Sequence, residues 1–126
     1  MNDKRTLTRQ YKAARVPMGV FLIRNHANGR LYVDASMNLP GAMNRHRFEL
    51  QLRSHRNKEL QRDWIACGAD QFSFEVLERL KERDDPQFDY PAELADALAL
   101  WREELPCHGP AGYNGRPGPA HTKEAP

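Results

Sequence analysis

The 126-residue sequence predicts an α+β fold in the order strand, strand, helix, helix, strand, helix. Three observations carry that expectation. Gly19-Val20-Phe21-Leu22-Ile23 and Leu31-Tyr32-Val33 are apolar runs separated by Asn25-His26-Ala27-Asn28-Gly29. Asn-Gly between two such runs is the strongest short-range hairpin signal, because glycine accepts positive φ freely and asparagine at modest cost. Further on, Gln71 to Leu80 alternates Phe72, Phe74 and Val76 with Ser73, Glu75 and Leu77, which reads as a third strand with one strongly apolar face.

In chain order, residues 1 to 17 hold Lys4, Arg5, Arg9, Lys12 and Arg15 against Asp3. They read as a basic arm able to touch phosphate, a frayed helix or a solvated leader. Val16-Pro17 breaks that segment, and strands are expected from about Met18 to Arg24 and Arg30 to Ala35. Ser36 and Asn38 are candidate N-caps for a helix from Gly41 to about Leu52, with Pro40 in a position its first turn accepts. Met43, His46, Leu50 and Phe48 approximate the apolar stripe of that helix and leave Arg45, Arg47 and Arg53 outward. Asn57 caps a second helix, Lys58 to Ala66, whose Leu60, Trp64 and Cys67 share a face and which Gly68 ends. After a loop from Lys81 to Pro91, a helix from Ala92 to about Leu105 carries Leu94, Ala97, Leu98 and Trp101 on one side. The Gly/Pro-rich remainder ends in a tail, residues 115 to 126, expected to be disordered.

The length fits one domain with a modest core. No apolar run approaches the roughly 20 residues of a membrane span, and Met1-Asn2-Asp3-Lys4-Arg5 does not open a signal-type segment, so the expected location is the cytoplasm. Cys67 and Cys107 lack metal-ligand spacing and read as buried or idle thiols. Net charge is only +2, yet the chain through Ala66 holds 13 Lys+Arg against 5 Asp+Glu, and the remainder 6 against 12. Such asymmetry fits either a basic face for an anionic polymer or two halves that attract each other.

Gly19-Val20-Phe21 and Tyr32-Val33-Asp34 stand where the GIY-YIG nuclease family carries its two tripeptides. The match continues through Asn25, Asn28-Gly29, Ser36-x-Asn38-Leu39, His46, and His55-x-Asn57-x-x-Leu60-Gln61-x-x-Trp64. Gly68, Phe72-x-Phe74-Glu75-Val76-Leu77-Glu78 and Gly112-Tyr113-Asn114 complete it. Residues 18 to 114 thus resemble that family. The resemblance implies a three-stranded antiparallel sheet flanked by helices, and a domain that cuts a phosphodiester bond with one divalent metal. In the family, a hairpin tyrosine helps activate water, an arginine of the first helix stabilises phosphate charge, and a glutamate of the last helix holds the metal.

Several of those positions are changed. The family arginine falls on Ala42, the glutamate on Leu98 and the first signature tyrosine on Phe21, while Asp34 replaces a glycine. Loss of one preorganised contact to the transition state commonly costs two to three orders of magnitude in rate. Arg45, roughly 60° round the helix from Ala42, is the possible substitute for the arginine; Asp34 is the possible new metal ligand. Tyr32, His46 and Asn114 keep family-matching polar groups, each with a structural alternative: a strand residue with a wet hydroxyl, a helix residue bonded to backbone, and a turn former.

The expected function is a catalytically inactive domain that binds nucleic acid, chiefly DNA, through Arg45, Arg47, Arg53, Arg56, Lys58 and Arg62. Alternatives are a weak or altered nuclease using Tyr32, His46 and Asp34, for which alone Mg2+ is implied, and a protein-interaction module using Glu82 to Asp89 and the tail. No organic cofactor is implied.

Overall fold

The computed structural model describes residues 16–115; most of the basic arm and the tail from residue 116 lie outside the described residues. The central strand, β1 (Gly19–Asn25), pairs antiparallel with β2 (Leu31–Ser36) on one side and with β3 (Phe72–Arg79) on the other. Helices α1 (Leu39–Gln51) and α2 (Lys58–Cys67) separate β2 from β3, and α3 (Tyr90–Glu104) follows. The expected element order holds.

β1 is central because both of its faces are apolar. Phe21 and Ile23 pack with Leu39, Ala42 and Leu50 of α1 and Leu60 and Trp64 of α2. Val20 and Leu22 turn the other way and pack with Leu31, Val33, Ala97 and Cys107. The sheet is therefore covered on one face by α1 and α2 and on the other by α3, and each fully buried Val, Leu, Ile or Phe stabilises it by about 2 kcal/mol. Among the described residues no helix is long and apolar enough to cross a membrane.

Local chemistry refines several sequence expectations. The hairpin turn is longer than an Asn-Gly pair: Asn25 and Arg30 close it, and only Gly29 has positive φ, at 80°. Asn28 contributes its side chain instead, accepting from the Arg30 amide at 2.9 Å. Asn38, not Ser36, caps α1, accepting from the Gly41 amide, and the helix starts two residues early because Pro40 fits its first turn. Asp89 likewise starts α3 at Tyr90 rather than Ala92. Phe48 is not part of the α1 stripe; it is 60% exposed, whereas Ala42, which the sequence reading left off the stripe, is buried. Val76, though it pairs with Phe21, is 45% exposed, and Leu77, at the register shift between Val20 and Phe21, packs on the opposite layer from Phe72 and Phe74.

The outer edge of β2 is closed by the segment that follows α3. Asn114 accepts from the Val33 amide at 2.8 Å and donates to the Val33 carbonyl at 3.0 Å, and the Tyr113 amide donates to Leu31. Asn114 is thus a side-chain substitute for a neighbouring strand, not a turn former.

Candidate functional site

The residues that the sequence singled out converge on the face of β2 beneath α1 and the α1–α2 loop. Tyr32 projects from β2, and its ring meets His46 of α1 edge-on, with centroids 5.4 Å apart. His55, in the loop, lies edge-on to Tyr32 at 6.2 Å and tilted against His46 at 4.9 Å. The buried Phe21 ring completes the group, 5.5 Å from His46. His55 entered the sequence reading only as one letter of a motif. Its signal was the His-x-Asn spacing before a capped helix, which holds the loop against the sheet: the Asn57 amide donates to His55 Nδ1 and the His55 amide to Gln61.

His46 and His55 are in direct hydrogen-bond contact, Nδ1 to Nε2, at 2.7 Å. His46 is therefore bonded to another side chain and not to backbone. Burial, reinforced by the charge of the neighbouring His55, pushes its pKa down to about 4, and burial lowers that of His55 in the same direction. The folded protein thus prefers both rings neutral. A histidine lowered from an ordinary value near 6.5 adds stability that is full above pH 6.5 and is lost as pH falls toward 4. We expect the urea-unfolding free energy to drop by about 2 kcal/mol between pH 7 and pH 5. His46→Phe should flatten that pH dependence; an unchanged profile would contradict the assignment.

Tyr32 is not a wet hydroxyl. It donates to Asp34 at 3.2 Å, and burial first, then the Asp34 charge, raise its pKa well above the ordinary value, so it holds its proton. Asp34 also accepts from the Ala35 amide and lies 3.7 Å from Arg102. Arg102 reaches round the edge of β2 and donates twice to the Val33 carbonyl.

The divalent metal that the family resemblance implies needs several oxygen ligands. Leu98 sits in the apolar layer under α3, Glu93 pairs with Arg83, and Asp34 is engaged by Tyr32 and Arg102. These residues do not fit such an ion. Among the described residues His46, Glu49 and His55 also have ligand-type atoms within 4.8 Å of one another. The Asn57 amide occupies His55 Nδ1, however, so the neutral ring carries its proton on Nε2, facing His46. That polarity fits a hydrogen bond and not a shared cation.

Arg45 follows the outer face of α1 and lies 3.9 Å from Glu49, while Arg47 stacks over Phe74 at 4.3 Å. Arg53, Arg56, Lys58 and Arg62 are exposed and have no ion-pair partner among the described residues. Arg56 adjoins His55, and its charge acts on both His55 and Tyr32. Ala42, in contrast, is packed in the core beneath α1.

No family model matches the chain, and the search of curated proteins finds no match. Two solved structures are similar to it. One is a mutant of the catalytic domain of the intron endonuclease I-TevI, 23% identical over 79% of this chain and 93% of that one, with a TM-score of 0.65. The other is the catalytic domain of the homing endonuclease I-TevI, 24% identical over 76% of this chain and 95% of that one, with a TM-score of 0.63. The fold is GIY-YIG-like, with the sheet and helix order described above.

Proposed function

We propose that the chain is a GIY-YIG-like domain that binds nucleic acid, DNA first among candidates, through the basic surface of α1, the α1–α2 loop and α2, without cutting it. Arg53 supports the binding reading most. Among the described residues it is the one non-glycine with positive φ, at 61°, and it closes α1 where glycine is the usual occupant. A left-handed conformation costs a side-chain-bearing residue on the order of 1 kcal/mol. An exposed arginine held there at a cost to folding, beside Arg56, Lys58 and Arg62, points to a ligand that needs the charge.

The chemistry at β2 and in the layer under α3 speaks against cutting. The tyrosine is protonated, the nearby carboxylate is neutralised by Arg102, and apolar side chains occupy the places of the family's arginine and glutamate. The intact trio Tyr32, His46 and His55 favours a second reading, an altered nuclease.

Contacts to phosphates alone release condensed counterions and carry little sequence preference. Fluorescence-anisotropy titrations with short duplex and single-stranded DNA should show affinity falling with salt along a log–log slope of about −3 to −5. Affinity indifferent to salt, or absent at low salt, would remove the binding reading.

A further inference from the structure

We propose that Phe48, on the outer face of α1, is a stacking platform for an unpaired base of a single-stranded nucleic acid, with arginines to either side holding the neighbouring phosphates. This names a substrate class within the nucleic-acid reading above and rests on it. Phe48 is 60% exposed, and so is Leu52, one turn later. Residues four apart on a helix are neighbours, so the two side chains form one apolar spot near the end of α1. Among the described residues the Phe48 ring meets no other aromatic ring and no guanidinium; Arg47, next to it in the chain, stacks on Phe74 instead. A phenylalanine so placed does little for the helix, since alanine and straight-chain residues have better helix propensity.

The surroundings of the spot select its occupant. Residues 44 to 56 contain Arg45, Arg47, Arg53 and Arg56 against a single acid, Glu49, which lies 3.9 Å from Arg45. Arg45 precedes Phe48 by three residues, so the two are neighbours on the helix surface. At the other end α1 is closed by two backbone bonds, from the Arg53 amide to Leu50 at 3.1 Å and from the Ser54 amide to Glu49 at 2.9 Å. That closure, which uses the positive φ of Arg53, fixes its backbone directly after Leu52. Positive charge thus brackets a small apolar spot. The core of a protein–protein interface is depleted of charge, so a protein partner fits poorly. A single strand offers both complements at once: base faces for an aromatic ring and a phosphate at each step for a cation. A duplex keeps those faces stacked on one another, and inserting a side chain between them costs unstacking energy.

The test titrates the full chain and its Phe48→Ala and Phe48→Tyr variants, at fixed salt, with a short labelled DNA single strand, its duplex, and the same strand carrying abasic sites. Phe48→Ala should weaken binding of the intact single strand about tenfold and leave the duplex and the abasic strand within about twofold. Phe48→Tyr should keep the natural affinity, and the Phe48 ring resonances should move upfield when the intact strand is added. Because Phe48 lies outside the core, the alanine variant should keep the urea midpoint of the natural chain. An intact strand held equally by the natural and alanine chains, or a duplex weakened as much as the single strand, overturns the stacking site. Self-association of the natural chain that Phe48→Ala abolishes also overturns it, and assigns the spot to a second copy. If salt-dependent DNA binding persists in any of these cases, the wider nucleic-acid reading stands; a natural chain that binds no nucleic acid overturns both.

Discussion

Replacing Arg53 by glycine and Arg56, Lys58 and Arg62 by alanine in one protein should lower DNA affinity at about 0.1 M salt by two orders of magnitude or more. The slope of log affinity against log salt should flatten by about 4, close to one for each phosphate contact removed. These four side chains are exposed, lie within ten residues of one another and have no ion-pair partner among the described residues. Their charges are thus free for an external anion, whereas Arg45 faces Glu49 and Arg47 is stacked on Phe74. Exposed charges of this kind contribute little to folding. Arg53→Gly also relieves a left-handed arginine, so the variant should unfold no earlier than the natural chain. Unchanged affinity in a folded variant would place the nucleic-acid surface elsewhere.

Arg30→Ala should destabilise the domain by about 3 kcal/mol, read as a lower urea midpoint at unchanged slope. Arg30 begins the return leg of the hairpin and binds two other segments. It pairs with Glu59 at 2.6 Å and Asp63 at 3.2 Å on α2, and donates to the Gly112 carbonyl at 2.7 Å. Its guanidinium also lies over the Tyr113 ring at 4.3 Å. Removal leaves Asp63, largely enclosed, with only the Tyr113 hydroxyl and Asn28 to answer its charge. Breaking one partner of an enclosed pair is costly because the other remains desolvated. A loss below about 1 kcal/mol would mean that water replaces the guanidinium without penalty.

Arg30 also marks where the sequence was hard to read. Periodicity and capping residues were enough for the strands and helices, since Asn38 and Asn57 cap helices through local bonds that neighbouring residues determine. Phe72 and Phe74 were legible for the same reason: alternation in a strand is local. Contacts between distant residues were not. Nothing near Arg30 announced Glu59 or Asp63, and nothing near Asn114 announced that it would line the edge of β2.

The site divides along the same line. Tyr32 and His46 stood out by their positions in the motif, and they do meet. His55 was missed because its role depends on a ring contact and on the direction of one backbone amide. Asp34 looked like a free carboxylate until Arg102, 68 positions later in the chain, came within 3.7 Å of it. Ala42 and Leu98 were noticed as missing functional groups, and the structure adds that each belongs to an apolar layer. Phe48 misled because its type matched a stripe from which its angle on the helix excludes it.

A plasmid-nicking assay tests directly whether the domain binds DNA without hydrolysing it. Supercoiled DNA would be incubated with the full chain and Mg2+ or Mn2+ at salt low enough for complete binding. The supercoiled form should persist. Nicking that requires the metal and disappears in Tyr32→Phe would contradict it and identify an altered nuclease.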